Sequence, residues 1–199
     1  KRGSLIVFEG LDGTGKSTQL PRLARRLAER GRELVATREP YDCAPGRRIR
    51  ELAQRPVAVS AAEELALFVE QRRIHVRELI APALARGALV LSDRYFLSTV
   101  AYQGARGFDP MQLLAESEAE FPLPDLALLL VLPPELGLAR VAARGGTPEP
   151  AYERADFLAR VQAIFDALDR PYLERIDAAG SPDAVEARIA EAAHRRLAT

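Results

Sequence analysis

Gly10-Leu11-Asp12-Gly13-Thr14-Gly15-Lys16-Ser17 follows the apolar run Leu5-Ile6-Val7-Phe8 and precedes a helical pattern of Leu20, Leu23, Ala24 and Leu27 that stops near Gly31. Strand, glycine loop and helix, in that order, are the setting that the spacing G-x-x-x-x-G-K-[ST] requires. Backbone N–H groups of such a loop converge on phosphate oxygens, and the helix adds its positive end. The phosphate-binding candidates are therefore Gly10, Gly13, Thr14, Gly15, Lys16, Ser17 and Thr18. Lys16 is expected on the β and γ oxygens of a nucleoside triphosphate, and the Ser17 hydroxyl on Mg²⁺. A glycine turn holding a Lys and a Ser by chance is the alternative, and the matching flanks weigh against it.

Working outward, Glu33–Thr37, Ala88–Ser92, Leu126–Leu132 and Glu174–Asp177 read as further strands. Their scant polar alternation suits strands buried on both faces of a parallel sheet. Ser60-Ala-Ala-Glu63 resembles a capping box opening a helix through Phe68, Arg72 and His75 toward Ala85. Further helices are expected from Pro134 to about Arg144, from Arg154 to about Tyr172, and from Pro182 onward. Between Arg144 and Arg154 lies the glycine and proline segment Gly145–Pro150. The expected fold is α/β: a P-loop NTPase-type three-layer sandwich, with a five-stranded parallel sheet, helices on both faces and a short lid. The whole chain reads as one kinase domain with its lid at about 140–154, and the crevice should open beyond the carboxyl ends of the strands.

The chain of 199 residues is 48% hydrophobic and 28% charged, a globular composition. Basic and acidic residues balance at 28 each, so no global field recruits nucleic acid or an anionic membrane. Any anion site must be local. Lysine occurs only at positions 1 and 16. One cysteine, Cys43, excludes an internal disulfide and suits a reducing compartment. No apolar run reaches the length of a membrane span, and the first is too short for a signal-peptide core. A cytoplasmic protein with small-molecule partners is the expectation.

Asp93 directly follows the apolar run Ala88–Ser92, which makes it the second Mg²⁺ ligand candidate; it reads equally as a cap of the next helix. Its neighbour Arg94 supplies a cation for a second phosphate. Thr37-Arg38-Glu39-Pro40, Phe68 with Arg72, Asp93-Arg94-Tyr95 and Ala101-Tyr102-Gln103-Gly104 complete a pattern with the glycine loop. In order and spacing it resembles the thymidylate kinases, and the likeness spans most of the chain. The resemblance implies phosphorylation of dTMP to dTDP with ATP and Mg²⁺, commonly by a homodimer. It puts the acceptor phosphate on Arg38 and Arg94, whose guanidinium forks suit two phosphate oxygens. It puts the thymine ring on Phe68, a base carbonyl on Arg72 and the base edge on Thr99 and Gln103. Tyr102 would crowd the sugar C2′ position, and Asp12 would approach the 3′-hydroxyl. Read from the residues alone, Arg38 also suits a surface ion pair, and Phe68 and Tyr102 ordinary core packing.

The pattern is departed from in four places. Tyr41-Asp42-Cys43 replaces a glycine-rich triplet, Gln71 and Val131 stand where Asp is usual, and Ala151 falls where many bacterial members carry a lid Arg. In one branch of the family the phosphate loop itself holds a catalytic Arg, but the matching position here is Gly13. The charge must then come from the lid. Arg140 is assigned to the adenine and Arg144 to the phosphates, with Arg154 as substitute; all three also suit solvated helix charges. Two other readings stand beside this one: another nucleotide or deoxynucleoside kinase, and a nucleotide-binding protein with weakened turnover. A nucleoside acceptor would need a carboxylate base near its 5′-hydroxyl and would have less use for Arg38 and Arg94.

Overall fold

The computed structural model describes residues 2–28, 31–54, 59–143 and 151–197. Five strands, β1 (Ser4–Glu9), β2 (Leu34–Arg38), β3 (Leu89–Asp93), β4 (Leu126–Val131) and β5 (Leu173–Asp177), form one parallel sheet in the order β2-β3-β1-β4-β5. Their side chains divide by the two-residue period of a strand. Leu5, Val7, Val90, Ala127 and Leu129 enter one core, while Ile6, Phe8, Leu91, Leu128 and Leu130 enter a second on the other face. Both faces are thus apolar, which is why these strands read as continuous hydrophobic runs.

The helices are α1 (Lys16–Ala28), α2 (Ala44–Gln54), α3 (Ala61–His75), α4 (Ala81–Ala85), α5 (Phe96–Gly104), α6 (Pro110–Glu120), α7 (Pro134–Ala142), α8 (Ala151–Ala167) and α9 (Pro182–Leu197). Leu20, Leu23 and Leu27 of α1 meet Val185, Ile189 and Ala192 of α9 in the second core. The first core takes Val100 of α5, Leu114 of α6 and Val161 and Phe165 of α8. These are the two outer layers of the expected sandwich.

Helix boundaries differ from the expectations at two points. One wide π turn, Val76–Ile80, joins α3 to α4, with the N–H of Ala81 reaching back to the carbonyl of Val76. Pro82 follows at once and has no N–H to continue a regular ladder, so the wide turn falls where the helix must already give up a bond. Helix α8 ends at Ala167 rather than near Tyr172, because Pro171 is incompatible with a continuing helix and biases Arg170 away from helical angles. The expected end of α7 at Arg144, and residues 144–150 of the lid expected at 140–154, lie outside the described residues.

The capping box at α3 forms as expected. Ser60 Oγ accepts the N–H of Glu63 at 3.1 Å, and Glu63 Oε2 accepts the N–H of Ser60 at 2.8 Å. Ser60→Ala should cost about 1 kcal/mol and lower the melting temperature by about 2–4 °C, with kcat unchanged. Differential scanning calorimetry beside an activity assay checks both.

Candidate active site

Register fixes the height of the site. Phe8 pairs with Asp93 across β1 and β3, and Arg38 pairs with the same Asp93 across β2 and β3. The phosphate loop, the metal candidate and one acceptor candidate therefore leave the sheet along one edge. The chain turns off β1 through Gly10, Gly13 and Gly15, whose φ angles are 124°, 82° and 101°. A Cβ at Gly10 would lie 2.4 Å from the carbonyl oxygen of Leu130, and one at Gly13 would lie 2.2 Å from that of Gly137 in α7. Both positions are closed to any side chain, which explains why position 13 cannot supply the cation found there in another branch of the family.

Lys16 is buried, and its Nζ donates to the carbonyls of Gly10 at 2.9 Å and Leu11 at 2.8 Å. Burial, helped by the charge of Arg94, pushes its ammonium down to about 8. An amine held this way gains by exchanging carbonyl partners for phosphate oxygens. Thr14 Oγ1 donates to the Leu11 carbonyl at 2.8 Å and so braces the loop from within. Ser17 and Thr18 are exposed at the start of α1.

Asp93 Oδ1 is buried and without a hydrogen-bond partner. An orphaned carboxylate oxygen at the end of β3 and an exposed hydroxyl at the start of α1 are the kinds of ligand Mg²⁺ takes, since it needs few protein ligands, keeps several waters and takes phosphate oxygens. Among the described residues no group of three or more His, Cys, Asp or Glu could hold a metal ion by itself.

Arg94 connects the loop to the acceptor side. Its Nη2 meets Asp12 Oδ1 at 2.8 Å, its Nη1 donates to Ser98 Oγ at 2.7 Å, and its guanidinium carbon lies 5.3 Å from the centre of the Tyr102 ring. Asp12, Arg94 and Tyr102 thus form one cluster. Arg38 is exposed at the end of β2. Arg72 is fully buried in a different network. Its Nε and Nη2 clasp the carboxylate of Glu39, and Nη2 also donates to Thr99 Oγ1 at 2.8 Å. Glu39 further accepts from His75 Nδ1 at 3.1 Å, and His75 Nε2 faces Thr37 Oγ1 at 2.9 Å. Burial opposes the Glu39 charge, but Arg72 and His75 outweigh it and hold the carboxyl below the usual range. Arg72 Nη1 and Gln103 Oε1 are left buried with no partner. Phe68, one turn before Arg72, is half-buried and absent from both cores.

On the other side of α1, a cavity of about 330 Å³ lies among Thr14, Gly15, Thr18, Arg140 and the loop carrying Ala178 and Gly180. Arg140 reaches toward the carbonyl of Ala178 at 3.4 Å. Arg144 lies outside the described residues, and Arg154 is placed in α8 without a described side chain.

Two of the departures from the family pattern prove to be linked. Gln71 Oε1 accepts the N–H of Tyr41 at 2.8 Å, and the Tyr41 ring stacks on His75 with centroids 4.5 Å apart. Asp42 pairs with Arg47 and Arg50 of α2. Val131 packs against the first core. The sequence reading gave no role to Glu9 or Ser98, none to Glu39 beyond its motif or to His75 beyond its helix, and none to the coupling through Gln71. A charged residue closing an apolar parallel strand was the available signal for Glu9, and a hydroxyl four residues after Arg94 the signal for Ser98.

Two outcomes follow. Gly13→Ala should cost about 1–2 kcal/mol of stability from left-handed backbone strain alone, measured by denaturant unfolding. Glu9, wholly buried, has its carboxyl pushed up to about 7 by desolvation, against an ordinary 4.5. Between those values the native state holds a proton that the unfolded chain has released. The stability this group contributes is therefore greatest below 4.5 and falls as pH rises to about 7. The loss is up to about 3 kcal/mol, and Glu9→Gln should flatten that slope in denaturant unfolding at stepped pH.

The family model for thymidylate kinase matches residues 8–189. The thymidylate kinase of Desulfotalea psychrophila is 45% identical over 94% of this chain and 92% of its own length. That of Akkermansia muciniphila is 44% identical over 99% of this chain and 94% of its own, and that of Xanthomonas euvesicatoria 47% identical over 92% and 80%. With the phosphate loop, the Asp93-Arg94 pair and the Arg72 network meeting at one sheet edge, these matches establish that the chain belongs to the thymidylate kinase family.

Proposed function

We infer that the groups along this edge perform one reaction, the transfer of the γ-phosphoryl group of ATP to dTMP. Family membership supports the reaction itself, with ATP and dTMP as substrates. A phosphate oxygen of dTMP attacks the γ-phosphorus, the bond to the β–γ bridging oxygen breaks, and dTDP and ADP leave. The attacking oxygen is already anionic, so no general base is required. Catalysis rests on alignment and on cations placed where charge develops.

Lys16 and the loop N–H groups take the β and γ oxygens, and Ser17 and Asp93 hold Mg²⁺. When bound, that ion neutralises charge between the two phosphates. Arg38 and Arg94 grip the phosphate of dTMP. Phe68 stacks on thymine, and Arg72 Nη1 and Gln103 address its polar edge, which would satisfy the two buried atoms now without partners. Thr99, already holding Arg72, borders the same edge. Tyr102 bounds the sugar and Asp12 its 3′-hydroxyl. Arg140 lies along the adenine cavity, while Arg144 or Arg154 supplies the remaining charge as the lid closes. A homodimer in the cytoplasm, with no nucleic-acid or membrane partner, completes the reading; no described helix is long and apolar enough to cross a membrane.

The observation that carries the assignment is Arg94. A guanidinium held between Asp12 of the phosphate loop and the Tyr102 ring is a second phosphate site at the mouth of the first. A nucleoside acceptor finds no comparable support, since Glu9 at the end of β1 is wholly buried with both oxygens engaged, and Asp12 in the loop is already paired with Arg94.

Coupled assays with ATP, Mg²⁺ and a panel of nucleosides and monophosphates should show dTMP as the preferred acceptor. Lys16→Ala should lower kcat about 100-fold or more. Arg94→Ala should raise the KM for dTMP and leave that for ATP nearly unchanged. Equal damage to both would remove Arg94 from the acceptor phosphate. Alanine at Arg144 and at Arg154, tested separately, should show one of them losing about 100-fold in kcat with little change in ATP KM.

A further inference from the structure

Glu9 is fully buried at the end of β1, and no step above uses it. Its Oε1 accepts the N–H of Tyr95 at 2.9 Å, and its Oε2 accepts from Ser98 Oγ. Ser98 Oγ then accepts from Arg94 Nη1 at 2.7 Å. The carboxylate is thus one atom removed from the acceptor-side cation, through a hydroxyl that donates to one partner and accepts from the other.

Arg94 itself has an unusual backbone. Its φ of 71° makes it the only non-glycine residue with positive φ among those described. The backbone polar groups of that turn are tied down. The N–H of Arg94 donates to the Phe8 carbonyl at 2.8 Å, its own carbonyl accepts from Ser92 Oγ at 2.8 Å, and the next N–H is the one held by Glu9. Strain of this kind persists only where its surroundings over-determine it, and it clusters at sites that must present one side chain in one direction.

We propose that Glu9 and Ser98 are positioning residues that aim the Arg94 guanidinium at the acceptor phosphate before dTMP arrives. This rests on the reading of Arg94 as a ligand of that phosphate. An arginine free to rotate loses much rotamer freedom on binding, whereas one already fixed at its backbone and at Nη1 loses little. Its Nη2 is held differently, by the half-exposed carboxylate of Asp12. The buried arm sets direction, and the exposed arm can change partners when phosphate enters.

The test compares Ser98→Ala, Ser98→Thr, Glu9→Gln, Arg94→Ala and the double variant Ser98→Ala/Arg94→Ala, with KM for dTMP, KM for ATP and kcat measured for each beside a thermal melt. Ser98→Ala should raise the dTMP KM about tenfold or more, the worth of a hydrogen bond to a charged group, with ATP KM unchanged. Ser98→Thr, which keeps the hydroxyl, should restore it. Glu9→Gln should act in the same direction, because its amide N–H competes with Arg94 for the lone pairs of Ser98 Oγ. The double variant should be no worse than Arg94→Ala, since Ser98 acts through Arg94. The proposal is overturned if Arg94→Ala impairs dTMP use while Ser98→Ala and Glu9→Gln do not, or if the Ser98 effect adds in full to that of Arg94. It is overturned too if dTMP and ATP KM rise together in proportion to lost stability. An Arg94→Ala variant with ordinary dTMP KM would instead sink the underlying assignment of Arg94.

Discussion

Strand β1 is hydrogen-bonded on both edges, to β3 and β4, and covered on both faces by apolar cores, so its chain can meet a ligand only where it leaves the sheet. Everything that bears on chemistry follows from that constraint. The glycine loop begins one residue after Glu9, and register brings Asp93 and Arg38 to the same edge. Crowding is the consequence. Gly10 passes beneath the end of β4 and Gly13 against α7, at distances that no side chain could tolerate. A loop pressed that closely leaves no room for a side chain at either glycine.

The same crowding buries charge. Lys16, Arg72, Glu9 and Glu39 all lie below the surface, where an uncompensated ion would be costly. The fold answers with two separate networks. One joins Thr37, His75, Glu39, Arg72 and Thr99; the other joins Glu9, Ser98, Arg94 and Asp12. Neither is a strong argument for stability, since buried ion pairs commonly do no better than apolar packing. Their value is geometric, because each fixes one guanidinium and leaves part of it for a ligand. Arg72 Nη1, Gln103 Oε1 and Asp93 Oδ1 are among the buried atoms still without partners.

The departures from the family pattern also become intelligible in this light. Tyr41 and Gln71 look unrelated along the chain, thirty positions apart, yet one hydrogen bond and one ring stack make them a single local solution around His75. Position 13 is empty of charge because α7 occupies the space a side chain would need. Arg140 borders the cavity beside the loop.

Local chemistry determined much of this protein without any coordinates. The glycine loop, the buried parallel strands and the Ser60 capping box are written in neighbouring residues, because a tight turn, a two-residue period and a reciprocal cap each need only a few adjacent side chains. Asp93 and Arg94 were legible for the same reason, as the polar residues that end an apolar run. The end of α8 was misplaced because the effect of Pro171 on the residues before it was not weighed. Glu9, Glu39, His75 and the link between Gln71 and Tyr41 were decided only by tertiary structure. Their meaning is set by partners 86, 33, 36 and 30 positions away, and burial is what turns those contacts from incidental into necessary.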